Sequence, residues 1–174
     1  VLEMLAIMSR RAFETMDDAA LIWACVEPVI AKIRGRDHGV KEAAYAQLTA
    51  GQRALMMFQV LRGHSSSGLE EFFRLVPHLP SREGIWRALR KAMRYFGDDA
   101  FAQLLLEIEA DYRAFMNTSA DAGIEGSCAP GNREESLQAV QRHDPPLREA
   151  ISGAEGLIAA RIRSDWGEFL ELQA

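Results

Sequence analysis

The chain has 174 residues, 48% of them hydrophobic, and a formal net charge of −5. Such a chain fits one globular domain with a real core and excludes a disordered polymer. No apolar run reaches the roughly 18–20 residues that span a bilayer, and the mild acidity speaks against nucleic-acid binding by the surface as a whole.

Leu2–Thr15 is weakly amphipathic, with Leu2, Leu5, Met8 and Ala12 in phase, and is expected to form a frayed first helix. It has no basic region ahead of its apolar part, so it does not read as a signal peptide. Asp17 is a good N-cap for a second helix with Ile22, Val26, Val29, Ile30 and Ile33 at helical spacing. Pro28 lies inside that pattern. It lacks an N–H and clashes with the carbonyl of Ala24, which predicts a kink or break. Gly35–Gly39 reads as a loop and Val40–Leu48 as a short helix.

Ala54–Leu61 is apolar except for Gln59. A helix of this kind sits in the middle of a core rather than on its rim. Thr49 and Gln52 are spaced as a capping box, and Gly63 is placed for a left-handed stop. A polar connection, His64–Gly68, leads to a short helix with Leu69, Phe72, Phe73 and Val76 inward, ended by Pro77 and Pro80. Ser81 is read as the cap of the next helix. Its apolar stripe is Ile85, Trp86, Leu89, Met93 and Phe96, and its basic stripe is Arg87, Arg90, Lys91 and Arg94. Gly97 stops it, and Asp98 caps a long helix with Phe101, Leu104, Leu105, Ile108, Tyr112 and Phe115 inward. Residues 117–132 are poor in large apolar side chains and long for a loop, hence either mobile or functional. Asn132–Arg142 can form a polar helix. Asp144-Pro145-Pro146 opens another, with Leu147, Ile151, Leu157, Ile158 and Ile162 inward. Ser164 or Asp165 caps a last turn holding Trp166, Phe169 and Leu170. No stretch alternates convincingly. The fold class is all-α: a single compact multi-helix domain, residues 1–174, around the buried central helix.

The chemistry is sparse. Gly63-His64-Ser65-Ser66-Ser67-Gly68 approaches a nucleophile elbow, but the elbow needs a strand before it and a second glycine where Ser67 stands. The turn reads first as helix-capping serines, and second as a small hydrolase using His64 with one of Ser65–Ser67. His38, His64, His78 and His143 make no metal-ligand spacing, Cys25 and Cys128 make no CxxC, and no Gly-rich phosphate loop is present. No cofactor or metal is expected, and the cysteine usage points to a reducing, cytoplasmic setting.

Two charged features stand out. The basic stripe Arg87, Arg90, Lys91, Arg94 suits phosphates, although no aromatic interleaves it for base stacking. The stretch from Asp98 to Glu125 carries Glu107, Glu109, Asp111, Asp121 and Glu125 and can present a ridge of carboxylates to a basic partner. The basic helix next to it is the internal competitor for those carboxylates.

The segment Leu48–Tyr112 resembles the bacterial DNA-mimic protein family. The likeness rests on the helix start Thr49, Gln52, Arg53, the apolar helix after it, and the turn Ser66-Ser67-Gly68-Leu69-Glu70-Glu71-Phe72-Phe73, where the family has Asn-Gly-Gly-Phe. Ala88–Gly97 and the tail Ile162–Leu170, with Glu168-Phe169, are similar to later family motifs. The resemblance implies an α-helical fold without known catalysis and, in one branch, an acidic surface that imitates DNA to bind a regulator. The expectation is a non-enzymatic domain that binds another protein. A homodimer is compatible with this reading. Direct nucleic-acid or membrane binding is not expected, and the Arg87–Arg94 stripe is the alternative surface.

Overall fold

The computed structural model describes residues 4–76, 84–121 and 130–173, and the side chains of all of these except residues 38, 118–121 and 130–133. In chain order it forms β1 (Ala6–Ser9), α1 (Arg10–Thr15), α2 (Asp18–Ile33), α3 (His38–Gln47), α4 (Ala50–His64), α5 (Leu69–Leu75), α6 (Ile85–Tyr95), α7 (Asp99–Asp121), α8 (Pro130–Gln141), α9 (Asp144–Ser164), a 3-10 turn (Trp166–Glu168) and β2 (Leu170–Gln173). The class is all-α, with one two-stranded sheet among the described residues.

Helix α4 is central. Its capping box is complete: Thr49 Oγ1 accepts the Gln52 N–H at 3.0 Å, and Gln52 Oε1 accepts the Thr49 N–H at 3.1 Å. Ala54, Leu55, Phe58 and Leu61 are buried, and Met56, Met57 and Val60 pack half-buried on the same core. The helix does not stop at Gly63. It continues to His64, because the Ser65 N–H still reaches Leu61 O. The left-handed glycine comes later, at Gly68 with φ +110°.

The first and last segments depart most from the sequence reading. Ala6–Ser9 is a strand, and helix begins only at Arg10, where Ser9 Oγ accepts the Ala12 N–H. Its partner is the tail: β1 and β2 run parallel with Ala6 opposite Leu170 and Ser9 opposite Gln173. Pairing between opposite ends of a chain overrides local preference, so neither strand is visible in its own residues. Helix α2 is continuous through Pro28 to Ile33. One lost hydrogen bond is offset by Leu21, Ile22, Cys25, Val26 and Val29, which bury the helix on both sides of the proline. Helix α3 starts at His38 because Asp37, not a residue nearer Val40, caps it. Residues 117–121 and 130–132 are helical ends of α7 and α8 rather than loop. Leu157 is 44% exposed and not part of the core. The expected cap at Ser81 and the stops at Pro77 and Pro80 lie outside the described residues.

The stop at Gly97 forms as the spacing predicts. Gly97 has φ +83°, its N–H reaches Arg94 O, and the Asp98 N–H reaches Met93 O. Asp98 then accepts the Phe101 N–H at 2.8 Å, starting α7. Phe72 and Phe73 of α5 meet Trp86 of α6 edge-on at 5.7 and 6.0 Å between ring centroids. Tyr112 of α7 closes on Phe73 at 5.0 Å, so three helices share one aromatic cluster.

The tail locks the start of α4. Thr49 Oγ1 donates to Glu168 O at 2.6 Å, and Glu168 Oε2 accepts the Gly51 N–H at 2.9 Å. Phe169 is fully buried against Gly51, where an added Cβ would lie 2.7 Å from the ring. Gln52 Nε2 donates to Met4 O at 2.8 Å and ties in the N-terminal segment.

Candidate functional site

The turn after α4 spends its hydroxyls on backbone. Ser65 is buried and donates to Leu61 O at 2.7 Å, and Ser66 donates to Gly63 O at 3.1 Å. His64 is exposed, and no hydrogen bond joins it to a serine among the described residues. The turn joins helix to helix, so the strand an elbow requires is not there. Its other partner comes from far away. Asp144 Oδ1 accepts the Leu69 N–H at 2.8 Å and caps α5, facing Gly68 where no side chain stands between. These contacts terminate one helix and start the next. They place no base on a hydroxyl, which nucleophilic attack requires.

The α7 carboxylates divide by helix phase. Glu109 is 7% exposed and ion-paired with Arg90 of α6 and, at 2.7 Å, with Arg113 one turn on. Asp111 points toward the end of α8, where it meets Arg142 at 2.9 Å and His143 Nε2 at 2.7 Å. Glu107 is exposed, with no ion pair among the described residues. The Asp121 side chain and Glu125 lie outside the described residues. Asp98 serves as a cap, and Asp99 sits 4.0 Å from Arg94. Two of the expected ridge residues are thus committed to the protein's own cations, and Glu107 alone of the described ones is turned outward without a partner.

His143 and Asp111 form a nearly buried acid–imidazole pair at the junction of α7, α8 and α9. No serine, threonine or cysteine is hydrogen-bonded to it among the described residues. Cys25 is fully buried in α2, and desolvation pushes its thiol up to about 12, far from a reactive thiolate at neutral pH. Burial also raises the Tyr45 hydroxyl and the Tyr95 hydroxyl, the latter opposed by Arg161, whose guanidinium lies 4.9 Å over the ring. No group of His, Cys, Asp and Glu is arranged to hold a metal among the described residues.

The cations divide as well. On α6, Arg90 is half-buried on Glu109, while Arg87, Lys91 and Arg94 are exposed on the outer face. A second exposed group was not among the sequence candidates. Arg34, Arg36 and Lys41 are exposed around the α2–α3 turn, with no ion pair among the described residues. The signal was legible as Lys32-Ile33-Arg34-Gly35-Arg36, a basic run broken only by Gly35 and Ile33. Most other arginines have acidic partners, among them Arg10, Arg62, Arg74, Arg142, Arg161 and Arg163.

No family model, no curated protein and no solved structure matches the chain. No helix of the described residues is long and apolar enough to cross a membrane.

Proposed function

We propose that this chain is a non-catalytic protein-binding domain that docks an acidic partner surface on the outer face of α6. The supporting observation is that Arg87, Lys91 and Arg94 recur at i, i+4 and i+7, all exposed, over about 10 Å of helix. The acidic-ridge reading has less support, since Glu109 and Asp111 are neutralised internally. Thr49, Gln52, Glu168 and Phe169, among the residues that carry the resemblance to the DNA-mimic family, meet at the start of α4 and have a structural use there. Mimicry of DNA by this surface is not part of the proposal. Nucleic acid fits α6 poorly as a stacked single strand: Trp86 and Phe96 are buried, and Tyr95 lies under Arg161.

The test is a pull-down from the native host with wild-type chain and with Arg87→Glu/Lys91→Glu, read by mass spectrometry. A partner held by the wild type and lost by the double reversal is the expected result. Retention of every partner by that variant, together with loss on Glu107→Lys, would return the binding surface to α7.

A further inference from the structure

We infer that the α2–α3 turn is a second interaction surface, which holds the phosphate backbone of double-stranded nucleic acid through Arg34, Arg36 and Lys41. This does not rest on the α6 proposal. These three residues lie within eight positions of chain, on the end of α2, the turn and the start of α3. The Arg34 N–H closes α2 on Ile30 O, Gly35 reverses the chain at φ +71°, and the Arg36 N–H reaches Ile33 O. Asp37 then caps α3 by accepting the Val40 N–H at 2.9 Å, and Lys41 follows one helical turn later. Residues 34–37 and 39–43 are all exposed.

The only carboxylate inside the turn, Asp37, is occupied at the helix N-terminus, where the dipole already favours it. Three cations beside two carboxylates, Asp37 and Glu42, leave the segment net positive, so like charges repel there, and no ion pair holds Arg34, Arg36 or Lys41 among the described residues. Most other arginines among the described residues have a carboxylate partner. A polyanion supplies the missing counter-charge, and release of its condensed cations drives association. Guanidinium groups suit phosphate oxygens because their N–H donors form a fork.

Two features choose the duplex over other polyanions. No Phe, Tyr or Trp lies between residues 24 and 44, so the turn offers nothing for unpaired bases to stack on. Val40 is the one large exposed hydrophobic beside the cations, at 41%, which falls far short of the apolar face that holds a helix in a lipid interface. The net charge of −5 opposes binding by the whole surface but not contact by one exposed turn.

The experiment is fluorescence anisotropy of a labelled random-sequence DNA duplex titrated with the full chain at several salt concentrations. Three phosphate contacts give a slope of about −2.7 for log affinity against log salt. Arg34→Glu/Arg36→Glu should weaken binding by about tenfold or more at low salt and flatten the slope by about 2. Lys41→Glu should act in the same direction with a smaller loss. Arg10→Glu/Arg74→Glu changes net charge equally at exposed sites elsewhere and should stay within about twofold, which separates local contact from overall charge. Circular dichroism checks that every variant keeps its helix content. Absence of duplex binding at low salt, equal loss in the control pair, or binding to phosphatidylserine vesicles without binding to the duplex would each overturn the inference.

Discussion

On α7, Glu109 lies buried between Arg90 and Arg113, and Asp111 holds Arg142 and His143. On the α2–α3 turn, Arg34, Arg36 and Lys41 are exposed, with no ion pair among the described residues. Both regions are rich in one sign of charge along the sequence, yet α7 ties Glu109 and Asp111 to its neighbours while the turn leaves all three cations exposed. Helix phase makes the difference. Helix α7 packs against α6 and α8, so Glu109 meets Arg90 across one seam and Asp111 meets Arg142 across the other. The α2–α3 turn is exposed along its length, and none of its three cations is ion-paired among the described residues. A charge count therefore says little about external field until the packing of the element is known.

A series of substitutions separates the two regions. The core sets the scale. Phe72 is fully buried and edge-on to Trp86, so Phe72→Ala should lose about 3–5 kcal/mol in urea denaturation. Loss of under about 1 kcal/mol, a surface value, would place Phe72 outside the core.

Glu109→Ala comes next. It leaves the Arg90 side chain, 18% exposed, without its acid, and should cost about 3 kcal/mol. Replacing both, Glu109→Leu with Arg90→Leu, should recover most of that loss, since an apolar pair of similar size needs no counter-charge. A double variant no better than the single one would show that the pair is held by more than mutual neutralisation.

Gly51→Ala tests the tail. The new Cβ must displace the Phe169 ring, for a cost of about 1–3 kcal/mol, measured as a lowered melting temperature. Unchanged melting would mean that the tail moves aside freely. Asp144→Ala removes an acceptor that caps α5 from a distant helix. About 1 kcal/mol is expected, with faster hydrogen exchange at the Leu69 amide as the local readout. Smallest of all, Arg34→Ala/Arg36→Ala should change stability by no more than about 0.5 kcal/mol, because neither side chain has an ion-pair partner among the described residues. A marked gain in stability there would measure the self-repulsion of the turn directly.

Short-range chemistry was the part legible in the residues. The Thr49–Gln52 capping box, the Asp17 and Asp98 caps and the Gly97 stop each need only a few neighbouring residues, and each formed where its spacing places it. The apolar phases of α5, α6 and α7 likewise identified their buried sides, because a helix must hide its hydrophobic stripe whatever it packs against. Leu157 shows the limit: it keeps helical spacing but lies at the margin of the stripe, and the packing of α9 leaves it in water.

The sequence by itself determined an all-α chain built around α4, since periodicity and capping act within one turn of helix. Tertiary structure decided everything that joins distant residues. It paired Ala6–Ser9 with Leu170–Gln173, set Phe169 on the bare backbone of Gly51, and brought Asp144 to cap Leu69. It also decided which charges face out. Glu109 and Glu107 are two positions apart in sequence, and only the rotation of α7 against α6 buries the one and exposes the other. Those outcomes depend on the partner across the contact, and no local pattern carries that information.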